Sequence, residues 1–145
     1  MIAGKGNRLD ALRDYAKAKD IAKNVTFTGL VSDEEKLNLY QQAKMYAISS
    51  PAELQSITTL EAMACALPIV AVDKIALKEL CHDQENGYLV PFGDKKAFAI
   101  ALESLWKNQI LAGEYGKKSR EIVLKHHSSD STKRAFERIY ERVVS

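Results

Sequence analysis

Short apolar runs alternate with longer stretches of helical periodicity along most of the chain. Met1-Ile2-Ala3 is a three-residue apolar opening, and Gly4-Lys5-Gly6-Asn7 turns it at once. From Arg8 to Asn24, Leu9, Leu12, Tyr15, Ala16 and Ile21 recur near helical spacing with no Pro or Gly, which predicts one helix. Val25-Thr26-Phe27-Thr28, β-branched and aromatic and closed by Gly29, predicts a strand. Ser32-Asp33-Glu34-Glu35 has the spacing of a capping box, in which the Ser hydroxyl and the Glu carboxylate satisfy each other's backbone donors. It opens a helix through Leu37, Leu39, Tyr40 and Ala43. Met45 to Ile48 predicts a third strand, followed by the polar loop Ser49 to Glu53.

A helix from about Ser56 to Ala66 stops before Pro68, and Ile69-Val70-Ala71-Val72 is apolar without interruption, as in a strand buried on both faces. A short helix over Leu77–Cys81 and a strand over Gly87–Val90 follow. The last third changes character: Lys95–Trp106, Leu111–Lys125 and Thr132–Val144 all predict helices with no strand between them. Alternation of this kind implies βαβ crossovers, hence an α/β fold with a parallel sheet and helices on both faces, here with a helical C-terminal extension over 95–145. Ligands of such sheets bind at the carboxyl ends of the strands. The loops Gly4–Asn7, Gly29–Ser32, Ser49–Ser56 and Asp73–Ile75 are therefore expected along one edge.

At 145 residues the chain has the length of one domain with a substantial core. Its 46% apolar and 28% charged residues exclude a disordered or collagen-like chain. The longest strongly apolar stretch, Leu67–Val72, is far short of the roughly 20 residues that span a bilayer. No secretory signal is read at the N-terminus, and Cys65 and Cys81 lack a CxxC spacing, so buried, reduced thiols in a cytoplasmic protein are expected. A net charge of +2 argues against nucleic acid as a partner. Between Tyr115 and Arg142 there are eight basic and four acidic residues, a solvated face or a contact for an anionic membrane or a partner domain.

The junction Ser49–Leu67 carries the richest candidate chemistry. Glu53 lies in the loop before the helix and Glu61 within it, with Gln55, Ser56, Ile57, Thr58 and Thr59 between. A helix start offers unpaired N–H groups and about half a positive charge, which suits a diphosphate over Ser56–Thr58. A carboxylate on either side can accept hydrogen bonds from sugar hydroxyls. Ile57, Leu60, Ala64 and Leu67 are expected as the apolar stripe of this helix, which would place Glu61 inside it and in need of partners. Gly4-Lys5-Gly6 lacks the third glycine of a dinucleotide fingerprint, and Phe27-Thr28-Gly29 stands where an NAD site needs an acid. No P-loop and no GxSxG elbow occur, and His82, His126 and His127 have no metal-site spacing.

Ser50-Pro51-Ala52-Glu53-Leu54-Gln55-Ser56-Ile57-Thr58-Thr59-Leu60-Glu61-Ala62-Met63-Ala64, closing on Pro68, resembles the E-x7-E signature of family 4 glycosyltransferases. Those are retaining enzymes of the GT-B fold, with two Rossmann-like domains around the active site. Ala3-Gly4-Lys5-Gly6 is similar to their glycine turn, Val25 to Glu35 to their V-x-F-x-G-x-V segment, and Asn86-Gly87-Tyr88-Leu89-Val90-Pro91 to their N-G-x-L-V-P segment. The resemblance covers about residues 1–95, with the motifs in order. It implies that Glu53 binds hydroxyls of the transferred sugar near its reacting carbon and that Glu61 holds the nucleotide's ribose. Backbone groups at Ser56, Ile57 and Thr58, beside Gln55, would hold the diphosphate, and Leu30 with the Gly29 loop would meet the base. Gly4 and Gly6 would border the donor. The family usually has Gly at the positions of Ser56 and Ala66.

The resemblance further implies the donor-binding, C-terminal lobe of a hexosyltransferase whose donor is a UDP-, GDP- or ADP-linked sugar. No metal or other cofactor is expected, because the helix terminus and cations stabilise the departing diphosphate. Those cations and the acceptor-binding domain are expected upstream of Met1, so the 145 residues alone are expected to be inactive. The location expected is the cytoplasm, with peripheral contact to the inner face of the membrane through the basic C-terminal helices. The alternatives are a stand-alone nucleotide-binding module and a partner- or membrane-docking module without catalysis.

Overall fold

The computed structural model describes residues 1–144, and these divide into two compact units, Met1–Gln41 and Gln42 onward. In the first unit, β1 (Ile2–Ala3) and β2 (Phe27–Gly29) pair in parallel, Ile2 opposite Phe27 and Ala3 opposite Gly29. Between them, α1 (Leu9–Ala18) ends six residues earlier than the unbroken periodicity predicts. Asp20 adopts a left-handed backbone (φ 54°), Asp20 N–H bonds to Lys17 O at 2.9 Å, and Ile21 N–H to Ala16 O at 3.0 Å. This is a Schellman closure on a non-glycine residue, which Asp tolerates better than most. A 3-10 turn, Ala22–Asn24, then leads into β2. The capping box opens α2 (Asp33–Gln42) as expected: Ser32 N–H donates to Glu35 Oε2 at 2.7 Å and Glu35 N–H to Ser32 Oγ at 3.2 Å.

The second unit holds a three-stranded parallel sheet in the order β3 (Tyr46–Ile48), β4 (Ile69–Val72), β5 (Gly87–Val90). Ala47 lies opposite Val70, and Val70 opposite Tyr88. The single sheet expected from the alternation is therefore two parallel sheets, one in each unit. All four residues of β4 are buried, as an unbroken apolar central strand should be. The crossovers are α3 (Ile57–Ala64) and α4 (Ile75–Leu80), and the C-terminal helices are α5 (Lys95–Lys107), α6 (Gln109–His126) and α7 (Ser129–Val144). Asp94 caps α5 by accepting from Ala97 N–H at 2.9 Å, and Asn108 caps α6 by accepting from Leu111 N–H at 3.0 Å.

The core of this unit joins Val70 and Val90 of the sheet to Ala101 and Leu105 of α5 and Ala112 and Tyr115 of α6. Two glycines let backbones approach. A Cβ on Gly87 would lie 1.8 Å from Ile69 O, and one on Gly116 would lie 2.1 Å from Ala66 O, so α6 packs directly on the chain leaving α3. Asn86 is fully buried and knits the segment before β5 to α6. Its Oδ1 accepts from His82 N–H at 2.7 Å, its Nδ2 donates to Leu80 O at 2.9 Å, and its Nδ2 lies 3.3 Å from Ser119 Oγ.

Candidate functional site

The strands of each sheet are parallel, so their carboxyl ends fall together within each unit. In the second unit, the loop Ser49–Ser56 follows β3 and the loop Asp73–Lys74 follows β4. Glu53 and Glu61 are both half-buried, the first in the β3–α3 loop and the second on α3. Thr59, Ala62 and Met63 form the buried stripe of α3, whereas Ile57 is 61% exposed. The stripe expected through Ile57, Leu60 and Ala64 is thus displaced. With 100° per residue, Glu61 projects from the side opposite the buried stripe and needs no accommodation inside it.

The start of α3 is polar and tied down. Ser56 is 1% exposed, and its hydroxyl lies 2.8 Å from that of Thr59, which is fully buried; each can give the other a partner. The Ser56 side chain therefore faces the core. Thr59 N–H donates to Ser56 O at 3.1 Å, and Ile57 N–H to Gln55 O at 3.1 Å, while the Gln55 side chain is exposed. Thr58 is exposed and its Oγ1 accepts from the Tyr46 hydroxyl, which stands on β3, at 2.9 Å. Burial raises the Tyr46 phenol's pKa above its ordinary value, hydrogen bonds with Thr58 and Thr59 counter the rise, and the charges of Glu53 and Glu61 add to it in smaller measure. One phenol thus feels both carboxylates. Sequence reading missed Tyr46 because it sits in a run that reads only as strand.

The other end of α3 is held from α6. The Arg120 guanidinium donates to Ala64 O, the last carbonyl of the helix. Ala66 N–H donates to Met63 O at 3.0 Å and Leu67 N–H to Ala62 O at 3.1 Å, with Ala66 at φ 58°. This is a second Schellman closure, and its left-handed residue is one of the two positions where the family resembled has Gly. In the β4–α4 loop, Asp73 pairs with Lys78 at 2.8 Å.

In the first unit, Gly4 (φ 134°) and Gly29 (φ 72°) end the two strands, and Gly4 N–H donates to Gly29 O at 2.7 Å. Gly6 is exposed and its carbonyl accepts from Leu9 N–H at 3.2 Å as α1 starts. Leu30 is 71% exposed and, with Thr28, Val31, Glu35, Asn38 and Leu39, lines a hollow of this unit.

Elsewhere the chemistry is sparse. Among the described residues no group of His, Cys, Asp and Glu is placed to hold a metal ion. No described helix is long and apolar enough to cross a membrane. Both cysteines are free; Cys81 is buried, which pushes its thiol up to about 12, whereas Cys65 is only half-buried. On α7, Phe136, Ile139, Tyr140 and Val143 form an exposed apolar stripe at i, i+3, i+4, i+7. Arg134, Arg138 and Arg142 recur every four residues on the opposite side of that helix.

Residues 1–122 match the family model described as glycosyl transferases group 1. Over its full length the chain is 33% identical to the phosphatidyl-myo-inositol mannosyltransferase of Mycobacterium leprae, of which it covers 38%. It is 29% identical over 90% of its length to the poly(ribitol-phosphate) alpha-N-acetylglucosaminyltransferase of Staphylococcus aureus, covering 26% of that protein. A crystal structure of S. aureus TarM in complex with fondaparinux, alpha-GlcNAc-glycerol and UDP superposes with a TM-score of 0.87 at 26% identity, over 96% of this chain and 28% of that one. The chain therefore spans about a quarter to two fifths of the length of these relatives.

Proposed function

The chain belongs to the group 1 glycosyl transferases, of GT-B type, and from that premise we propose that it is the nucleotide-sugar-binding, C-terminal half of a family 4 retaining enzyme. The observation that carries this reading is the pair Glu53 and Glu61, set on either side of the first turn of α3 beyond the carboxyl end of β3. In this reading the donor's diphosphate lies over the N-terminal turn at Ser56–Thr58, where the helix dipole favours negative charge. Glu61 accepts from the ribose hydroxyls and Glu53 from hydroxyls of the transferred hexose. Gln55 borders the diphosphate.

The reaction is breakage of the bond between the sugar's anomeric carbon and the diphosphate oxygen. The bonding pair leaves with the diphosphate, while an acceptor hydroxyl adds to the same face of the sugar and gives up its proton. A helix terminus aimed at the leaving group stabilises the charge as it develops and needs no metal ion. The acceptor and further cations are assigned to an acceptor-binding half outside these 145 residues, a reading supported by the 38% of the mannosyltransferase relative that the chain covers.

The test is an NMR titration of the chain with UDP, GDP and ADP. Amide shifts at Ser56, Thr58 and Glu61 with at least one of them, weakened by Glu61→Gln, are expected. Absence of shifts with all three nucleotides at millimolar concentration refutes the reading. A docking module without nucleotide binding would give that blank result.

A further inference from the structure

The hydroxyl of Tyr46 has a role that packing does not require. Tyr46 and Ile48 share one face of β3, Tyr46 half-buried and Ile48 buried, and a phenylalanine would serve that face as well. The hydroxyl instead reaches across to α3, where it donates to Thr58 Oγ1 at 2.9 Å and also interacts with the Thr59 hydroxyl. Thr58 is the second residue of α3, so its side chain stands at the turn where the diphosphate of the proposed donor would sit. Glu61 follows three residues later on the same helix face.

A threonine in a helix divides between two χ1 rotamers, since its hydroxyl has more than one local bond to choose from. A fixed acceptor position beside a strand residue removes that choice. We propose that Tyr46 is a positioning residue of the donor site: by donating to Thr58 Oγ1 it locks the Thr58 side chain beside the diphosphate of a bound nucleotide sugar. The inference rests on the functional reading above and deepens it. It adds a β3 residue to a site otherwise built from the β3–α3 loop and α3.

The mechanism is preorganisation. A Thr58 side chain already held in one rotamer loses less freedom when the diphosphate arrives, so affinity for the diphosphate rises without a new contact to the base. Loss of one neutral hydrogen bond is equivalent to about a five-fold change in affinity, about 1 kcal/mol. The effect must be selective: a ligand without phosphate does not meet the turn at Thr58.

The experiment measures dissociation constants by NMR for the full chain with the tightest-binding of UDP, GDP and ADP, and with the matching nucleoside as control. Tyr46→Phe, which keeps the ring, is expected to weaken the nucleoside diphosphate about five-fold and to leave the nucleoside within two-fold. Thr58→Val should do the same, Thr58→Ser should retain near-normal affinity, and Tyr46→Phe with Thr58→Val should be no worse than either alone. A merely structural role for Tyr46 would shift thermal stability and both ligands together. Unchanged diphosphate affinity in Tyr46→Phe, an equal loss for the nucleoside, or additive effects in the double variant overturns the inference while leaving the donor-site reading intact. If the unaltered chain binds none of the three nucleotides, that reading falls and takes this one with it.

Discussion

Gly113 and Gly116 lie on the same helix, α6, one turn apart, and the structure assigns opposite signs to the same substitution at each. In a helix interior Ala is favoured over Gly by about 0.8–1 kcal/mol, because Gly has more backbone freedom to lose. A Cβ on Gly113 meets nothing within 4 Å, so Gly113→Ala should stabilise the chain by about that amount. A Cβ on Gly116 would lie 2.1 Å from Ala66 O, whereas real Cβ atoms essentially never come within 3.0 Å of another atom. The obstacle is a backbone carbonyl, which no rotamer change can remove. The chain after α3 or the helix itself must therefore retreat by roughly 1 Å, opening contacts elsewhere in a close-packed core. Overpacking of this kind costs about 1–3 kcal/mol, and an immovable obstacle argues for the upper end. After the propensity gain, Gly116→Ala should destabilise by about 2 kcal/mol, and the two variants should differ by about 3 kcal/mol.

Urea denaturation monitored by circular dichroism measures this, with midpoints compared at constant slope. For a chain of this size each kcal/mol corresponds to about 2–4 °C in Tm, so thermal melts provide an independent readout. Two stabilised variants, or two of equal stability, would refute the claim that α6 rests directly on the Ala66 carbonyl. A further consequence separates contact from propensity. Because Gly116 abuts the residue that closes α3, the retreat should also weaken nucleoside diphosphate binding, and Gly113→Ala should not.

Ala66→Gly removes a side chain from a left-handed residue, a conformation costing about 1–2 kcal/mol for an L-residue. Offset by about 0.4–1 kcal/mol of added freedom in the unfolded chain, it should raise stability by about 0.5 kcal/mol. A lower urea midpoint would count against the Schellman geometry. Asn86→Ala should destabilise by about 3 kcal/mol or more, since His82 N–H and Leu80 O lose their buried partner; a loss under about 1 kcal/mol in the same assay contradicts that network. Glu35's carboxyl is held below its ordinary value, first by the Ser32 backbone N–H and then by the Ser32 hydroxyl. A depressed folded value means stability that is present above about pH 4.5 and lost as pH falls through the folded value. Glu35→Gln should therefore flatten stability against pH below 4.5, and an unchanged acid slope would show that the capping box does not persist in solution.

How much of this was legible in sequence depended on distance along the chain. The capping box at Ser32 and the uninterrupted apolar β4 are set within a few residues, and local patterns find them. The E-x7-E pair was legible for the same reason, since a loop and the helix it opens are neighbours. The end of α1 was not, because the usual sign of a left-handed closure is glycine and the residue there is Asp20. The division of the strands between two units was equally hidden. Periodicity says which segments are strands and is silent on which ones pair.

The buried stripe of α3 shows what local periodicity leaves open. Helical periodicity over Ile57–Leu67 admits more than one apolar face, and the choice between them is made by what packs against the helix. Here α6 makes it, bringing Gly116 to Ala66 and bringing Arg120 to Ala64, from which it is 56 residues away in sequence. Thr59, Ala62 and Met63 turn inward, and Thr59 is accommodated in the core because Ser56 gives its hydroxyl a partner. Thr58 and Glu61 are thereby turned away from the core, on the side that Tyr46 reaches. The orientation of the candidate donor site therefore follows from contacts at the far end of the helix, made by a segment that carries none of the motif. A substitution in α6 can consequently weaken ligand binding without touching ligand, by rotating or shifting α3 on its axis. Glu53, in the loop, should feel such a change less than Glu61, which α3 carries directly.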